Sequence, residues 1–175
     1  LASFLPDGQV TYYYNASRLT EFDLGVFAFA IATASFPELS LQKARTDWLE
    51  VEKTLKLSLH TTFLIVFPAT AGLIGMAEPI VSVLFRHGAF TWLDVQATAI
   101  TLMIFASSIP AVAAVRLLVA LFYAMQDTQG PVKASLFSMI LTGGLGCWLS
   151  GIWQVAGLAL ALSLGTFGHF LVLCW

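Results

Sequence analysis

A chain of 175 residues with 58% hydrophobic and only 10% charged side chains is not an ordinary soluble domain, in which about a quarter of residues carry charge. Its mean hydropathy of +0.85 and unbroken apolar runs point to an all-α polytopic membrane bundle of about five transmembrane helices. The alternation over about ten residues that a membrane β-barrel requires is absent, and a net charge of −2 with no long basic tract offers nucleic acid nothing to bind.

The chain opens on LASFLPDG, with no initiator methionine, charged leader or cleavage motif, and we expect a piece of a longer membrane domain. After the turn-forming Pro6-Asp7-Gly8, a first span over 9–37 is predicted, ended by Pro37 because a proline disfavours helical geometry in the residue before it. Arg18 lies well inside this span. At about 100° per residue, Thr11, Tyr14, Asn15, Glu21, Phe22, Gly25, Phe29 and Ala32 fall within roughly a right angle of it. An arginine near the bilayer centre costs at least a few kcal/mol, so such residues face a bundle interior or a wet cavity. The competing reading is local neutralisation by Glu21, three residues on. Alanines four apart (Ala28 and Ala32, Ala30 and Ala34) predict close helix packing in the second half.

Residues 38–56 read as a charged loop holding Lys43, Arg45, Lys53 and Lys56, with Trp48 at the interface. A second span follows at 54–76, containing Pro68, then a short surface or re-entrant helix at 78–86. Thr91-Trp92-Leu93-Asp94 is a capping box for a third span at 95–123. There Ser107 and Ser108 are expected to satisfy backbone freed by Pro110. Arg116 is a second intramembrane cation, on one face with Ala113, Ala120 and Ala124; it points at a helix or cavity unless it snorkels to the headgroups. A polar link through Gln126 to Pro131 leads to a fourth span at 132–152, a short turn at 151–154, and a fifth span at 155–175. Gly157, Ala161, Gly165 and His169 make a packing stripe of period four on the last, and His169 is a minor functional candidate. Cys147 and Cys174 read as small packing residues.

Loop cations number four after span one, and one, one and none after spans two, three and four, so loop 38–56 and link 125–133 are expected to be cytoplasmic. No nucleophile elbow, zinc motif, paired cysteines or phosphate loop is present, so neither an enzyme nor a cofactor or metal site is expected. Two buried cations, proline-broken helices and small-residue faces are transporter features, and water-facing arginines favour an anionic ligand such as phosphate or pyrophosphate. The candidate substrate-binding residues are Arg18, Asn15, Glu21 and Arg116.

Four motifs in order carry a resemblance. Tyr13-Tyr14-Asn15-Ala16-Ser17-Arg18-Leu19, Phe36-Pro37-Glu38-Leu39-Ser40, Phe85-Arg86-His87-Gly88-Ala89-Phe90-Thr91 and Phe122-Tyr123-Ala124-Met125-Gln126-Asp127-Thr128 with Pro131-Val132 together resemble the MurJ/MviN family. These are bacterial peptidoglycan-precursor (lipid II) flippases, within the superfamily that includes MATE-type exporters. The resemblance implies a bacterial inner-membrane protein of fourteen helices in two lobes plus a C-terminal pair. The five spans would be helices eight to twelve, most of the second lobe, with the first lobe as missing partner. It further implies that Arg18 lines a cationic cavity holding the pyrophosphate of lipid II or a similar polyprenyl-pyrophosphate lipid. Ser17, where the family usually has an acid or amide, and Asp23, where it often has proline, depart from the pattern. In some relatives acids or amides on the fourth and fifth spans bind sodium, and this chain has no carboxylate on either span. The rival readings are an exporter of another polysaccharide-lipid or a drug, and a non-transporting scaffold of the cell-wall machinery.

Overall fold

The computed structural model describes residues 9–26, 28–88 and 90–175, which exclude the predicted turn at Pro6-Asp7-Gly8. Among these residues the secondary structure is entirely helical: α1 (Gln9–Val26), α2 (Ala28–Ala44), α3 (Trp48–Gly75), α4 (Ala77–Phe85), α5 (Trp92–Ala124) and α6 (Gln129–Cys174). Four helical stretches are long and apolar enough to cross a membrane: Trp48–Gly75, Trp92–Ala124, Gln129–Gly151 and Val155–Cys174. Two helices, α1 of 18 residues and α2 of 17, occupy the region of the predicted first span.

Pro37 does not end that region. Helix α2 runs through it to Ala44. A proline inside a helix costs about 3 kcal/mol, and packing beyond it offsets this. Leu39 is fully buried with Val51 of α3 and Ala124 of α5, a contribution of about 1.5–3 kcal/mol. Gln42 Nε2 also donates to Thr54 Oγ1 at 2.8 Å, adding about 1 kcal/mol. Most of the expected loop 38–56 is therefore helix, and only 45–47 lie outside α2 and α3. Of the two alanine pairs, Ala32 is buried while Ala30 and Ala34 are exposed; the side chain of Ala28 lies outside the described residues.

The α2–α3 and α5–α6 corners are built alike. In the first, Asp47 N–H donates to Gln42 O at 3.1 Å and Thr46 N–H to Lys43 O at 3.0 Å; in the second, Asp127 N–H donates to Phe122 O and Gln126 N–H to Tyr123 O, both at 3.0 Å. This is the Schellman pattern, which places one residue in the left-handed region. Thr46 (φ 58°) and Gln126 (φ 61°) hold that position. An aspartate follows each and caps the next helix, Asp47 accepting from Glu50 N–H at 3.3 Å and Asp127 from Gln129 N–H at 2.9 Å. A non-glycine residue there is strained, the β-branched Thr46 most of all. Thr46→Gly is thus expected to stabilise the bundle by about 1 kcal/mol, and Gln126→Gly by less. Thermal unfolding in detergent should show the rise.

Helix α5 is the axis of the bundle and packs against each of the other five helices. Lipid provides little hydrophobic drive between helices, so small residues and polar contacts supply much of the cohesion. On α5, Ala99, Ala106, Ala111, Ala113 and Ala114 are all buried. The buried face of α3 is rich in hydroxyls, namely Thr54, Ser58, Thr62 and Thr70 with Val51 and Val66. Ser58 Oγ lies 2.8 Å from Ser35 Oγ of α2. Ser107 and Ser108 do not reach the carbonyl that Pro110 frees, that of Ala106. They donate instead to Ile104 O and Phe105 O, each at 2.7 Å, because a serine hydroxyl on a helix reaches the carbonyl three residues back. Ile104 O also accepts from Ser163 Oγ of α6 at 3.2 Å, which ties the two helices.

Helix α6 doubles back as a hairpin with arms Gln129–Gly151 and Val155–Cys174. Ser138 Oγ of the first arm donates to Gly165 O of the second at 2.9 Å. A Cβ on Gly157 would stand 2.2 Å from the carbonyl oxygen of Leu149, and one on Gly165 would stand 1.8 Å from Thr142 Oγ1. Ala161 is fully buried beside them. The period-four stripe is thus the surface on which the arms meet. Cys147 and Cys174 are exposed rather than packed, because each faces away from the partner arm or the core.

Candidate functional site

Helix α1 has two unlike faces. Ala16 is fully buried and Thr20 nearly so, its hydroxyl bonded to Ala16 O at 3.0 Å. Tyr13 packs edge-to-face on Phe105 of α5 with ring centroids 5.3 Å apart. Thr11, Tyr14, Arg18 and Glu21 are exposed on the other side, and Asn15 is half-buried between the two. The side chain of Asp23 lies outside the described residues.

Arg18 points away from the bundle core. Its guanidinium sits over the Tyr14 ring, 4.8 Å from the centroid, and donates to the Tyr14 hydroxyl. The two ion pairs among the described residues are Lys53–Glu50 at 3.3 Å and Lys56–Glu52 at 2.5 Å, so the local partner of Arg18 is Tyr14 rather than Glu21. Cation–π stacking leaves donors on the planar fork for an outside acceptor.

Arg116 lies elsewhere. It lines a cavity of about 580 Å³ between α2 and α5, bounded by Phe29, Thr33, Phe36, Val119 and Tyr123. Asn15, Arg18 and Glu21 do not line it. Phe29 and Ala32, which share a predicted face with Arg18, do line it beside Arg116. The cavity is apolar with one cation at its wall, an arrangement suited to an anionic head with a hydrocarbon tail. No group of three or more metal-ligating side chains occurs among the described residues. His169 sits on the hairpin with Nε2 buried and unpartnered.

A family model described as lipid II flippase MurJ matches residues 1–175. The chain belongs to this family. Three curated relatives carry the name "Probable lipid II flippase MurJ". The one from Bdellovibrio bacteriovorus is 36% identical over 160 residues, covering 91% of this chain and 31% of the relative. That from Buchnera aphidicola of Acyrthosiphon pisum is 33% identical, covering 98% and 34%. That from Vibrio cholerae is 31% identical, covering 95% and 32%. A solved structure titled lipid II flippase MurJ, inward closed conformation, superposes with a TM-score of 0.90 at 25% identity over 98% of this chain and 36% of that one. The chain spans about a third of the length of the relatives it matches.

Two of the four MurJ-like motifs mark structural corners, while the other two lie within α1 and α2. In the turn between α4 and α5, Arg86 lies 5.2 Å from the Trp92 ring and the Phe85 and Phe90 rings meet at a tilt of 48° with centroids 6.4 Å apart. Its Thr91 N–H donates to Asp94 Oδ2 at 2.6 Å, one half of the capping box, and the Thr91 hydroxyl donates to the same oxygen at 2.7 Å. In the link between α5 and α6, the Phe122 ring covers Gly130, where a Cβ would stand 2.9 Å from it. Sequence reasoning missed two features of this MurJ-family fold. One is the hydroxyl row on α3, visible as Thr54, Ser58 and Thr62 at period four. The other is a hydrogen bond from the Tyr12 hydroxyl to Asp94, 82 residues away, for which no sequence signal exists.

Proposed function

We propose that the chain forms part of a lipid II flippase of the bacterial inner membrane, moving a polyprenyl-pyrophosphate lipid by alternating access. The exposed Arg18 and Glu21, with half-buried Asn15 beside them, turn toward a midplane cavity shared with a first lobe. Arg18 binds the pyrophosphate there through paired N–H donors, the geometry in which a guanidinium holds phosphate best. Asn15 and Glu21 orient the head, and Arg116 meets the same anion or its neighbour along the α2–α5 cavity. The observation that carries this reading is Arg18 itself. It is a cation on the exposed face of α1, stacked on an aromatic ring and in neither of the ion pairs found among the described residues.

The α2–α3 and α5–α6 corners are read as cytoplasmic. Both end in one cluster of Leu39, Val51 and Ala124, so they share an end of the bundle, and the first corner carries Lys43 stacked on Trp48 at 4.2 Å. Drug exporters of the superfamily need acidic cavities for cationic cargo, which Arg18 and Arg116 oppose. Arg116→Ala in the full gene product containing this chain is expected to slow lipid transport about tenfold while Arg116→Lys retains most of it, because a single charge at an apolar wall has loose geometric needs. A vesicle flipping assay with fluorescent lipid II reads both. Equal rates in Arg116→Ala and the parent would remove Arg116 from the site.

A further inference from the structure

The N-terminal end of α1 is pinned to a distant corner. The Tyr12 hydroxyl donates to Asp94 Oδ1, while Asp94 Oδ2 accepts from Thr91 N–H and Thr91 Oγ1. Both carboxylate oxygens are therefore engaged, and the carboxylate is fixed before Tyr12 reaches it. The Tyr12 ring also meets Phe90 edge-to-face, with centroids 6.2 Å apart at 83°. One turn on, Ala16 joins a buried cluster with Ala77 and Val81 of α4, Val95, Ala99, Leu102 and Phe105 of α5, and Ala159 of α6. Thus α1 is tied along its buried side to α4, α5 and the hairpin. The groups around the bond are accounted for: Thr91 is bound to Asp94, and Arg86 is turned onto Trp92.

Rotation matters here more than position. Tyr12 and Arg18 are six residues apart, so they stand about 120° apart around α1. The buried stripe of α1 is Ala16 and Thr20, flanked by Tyr13 on Phe105, and these contacts resist rolling through shape alone. A directional bond from one fixed carboxylate to one tyrosine resists it. We propose that Tyr12 and Asp94 are positioning residues that set the rotation of α1, and so aim Arg18 away from the core, while holding α1 to α4 and α5 as one rigid unit throughout transport. The inference rests on the flippase reading for its transport readout, and its second readout is independent of that reading.

The test uses the full gene product with its other cysteines replaced. Tyr12→Phe and Asp94→Asn should each slow lipid II flipping about tenfold, and the double variant should be no slower than either, since both act through one bond. The pair Tyr12→Cys/Asp94→Cys should be equally slow and should regain most of its rate when joined by a short bismaleimide. Independently of transport, Thr20→Cys should resist a polar maleimide in the parent background and react several times faster with Tyr12→Phe. Parent-like flipping in the single variants, a double variant slowed by the product of the singles, or loss of transport on cross-linking would each overturn the proposal. So would unchanged labelling of Thr20→Cys. If the parent itself flips no lipid II, the flippase reading fails, and the labelling comparison still decides whether Tyr12 sets the rotation.

Discussion

Arg18→Ala is expected to abolish support of growth in a flippase-depleted strain while the protein still inserts in the membrane at parental levels. The side chain is exposed and stacks on and hydrogen-bonds to Tyr14, so its removal opens no core cavity. A surface change of that kind leaves folding stability nearly unaltered. The loss falls on binding instead. The paired N–H donors that hold a phosphate are lost with the guanidinium, and alanine supplies no substitute. Arg18→Lys keeps the charge but not the planar fork, so activity should fall between the two; full activity would mean that charge alone suffices. Tyr14→Phe keeps the ring beneath the guanidinium and removes the hydroxyl acceptor, and a several-fold loss is expected. Growth of the Arg18→Ala strain at the parental rate would favour a scaffold role over transport.

The largest structural effect is expected at Gly157. Its Cα passes so close to the first arm of α6 that an added methyl would lie 2.2 Å from the Leu149 carbonyl oxygen and 2.6 Å from its carbon. Backbone cannot swing aside as a side chain can, so Gly157→Ala must push the arms apart. Overpacking of this kind costs about 1–3 kcal/mol in well-packed cores, and here it also lengthens the Ser138–Gly165 hydrogen bond of 2.9 Å. Gly165→Ala meets the Thr142 hydroxyl at 1.8 Å, and that side chain can rotate away, so its cost should be smaller. Thermal unfolding in detergent should rank Gly157→Ala well below Gly165→Ala. The double change Gly165→Ala/Thr142→Ala should recover most of the loss, whereas no side-chain change at Leu149 should rescue Gly157→Ala.

These contrasts show which parts of the fold are local. The Thr91–Asp94 box, the short α4 and the glycine stripe of the hairpin follow from spacings of three or four residues, and each is readable directly from the chain. Pro37 is the opposite case. Its neighbours predict a helix end, yet Leu39 and Gln42 find partners on α3 and α5, and that packing carries α2 to Ala44. The charged stretch 38–56 misleads for the same reason, since ion pairs such as Lys53–Glu50 stabilise the first turns of α3 instead of a loop. At the candidate site, the periodic face of Arg18 is legible, and so is the separation of Arg116 onto another helix. The choice of Tyr14 over Glu21 as the partner of Arg18 depends on side-chain geometry that spacing does not specify, because both lie within reach along the helix.

A pyrophosphate held by Arg18 should be visible as selectivity across a phosphate series. The full gene product in detergent would be titrated with undecaprenyl pyrophosphate and undecaprenyl monophosphate, in the parent and in Arg18→Ala. The parent should bind the pyrophosphate at least about tenfold more tightly, and this preference should vanish in Arg18→Ala while affinity for the monophosphate changes little. A preference for pyrophosphate that is undiminished in Arg18→Ala would contradict this role for Arg18.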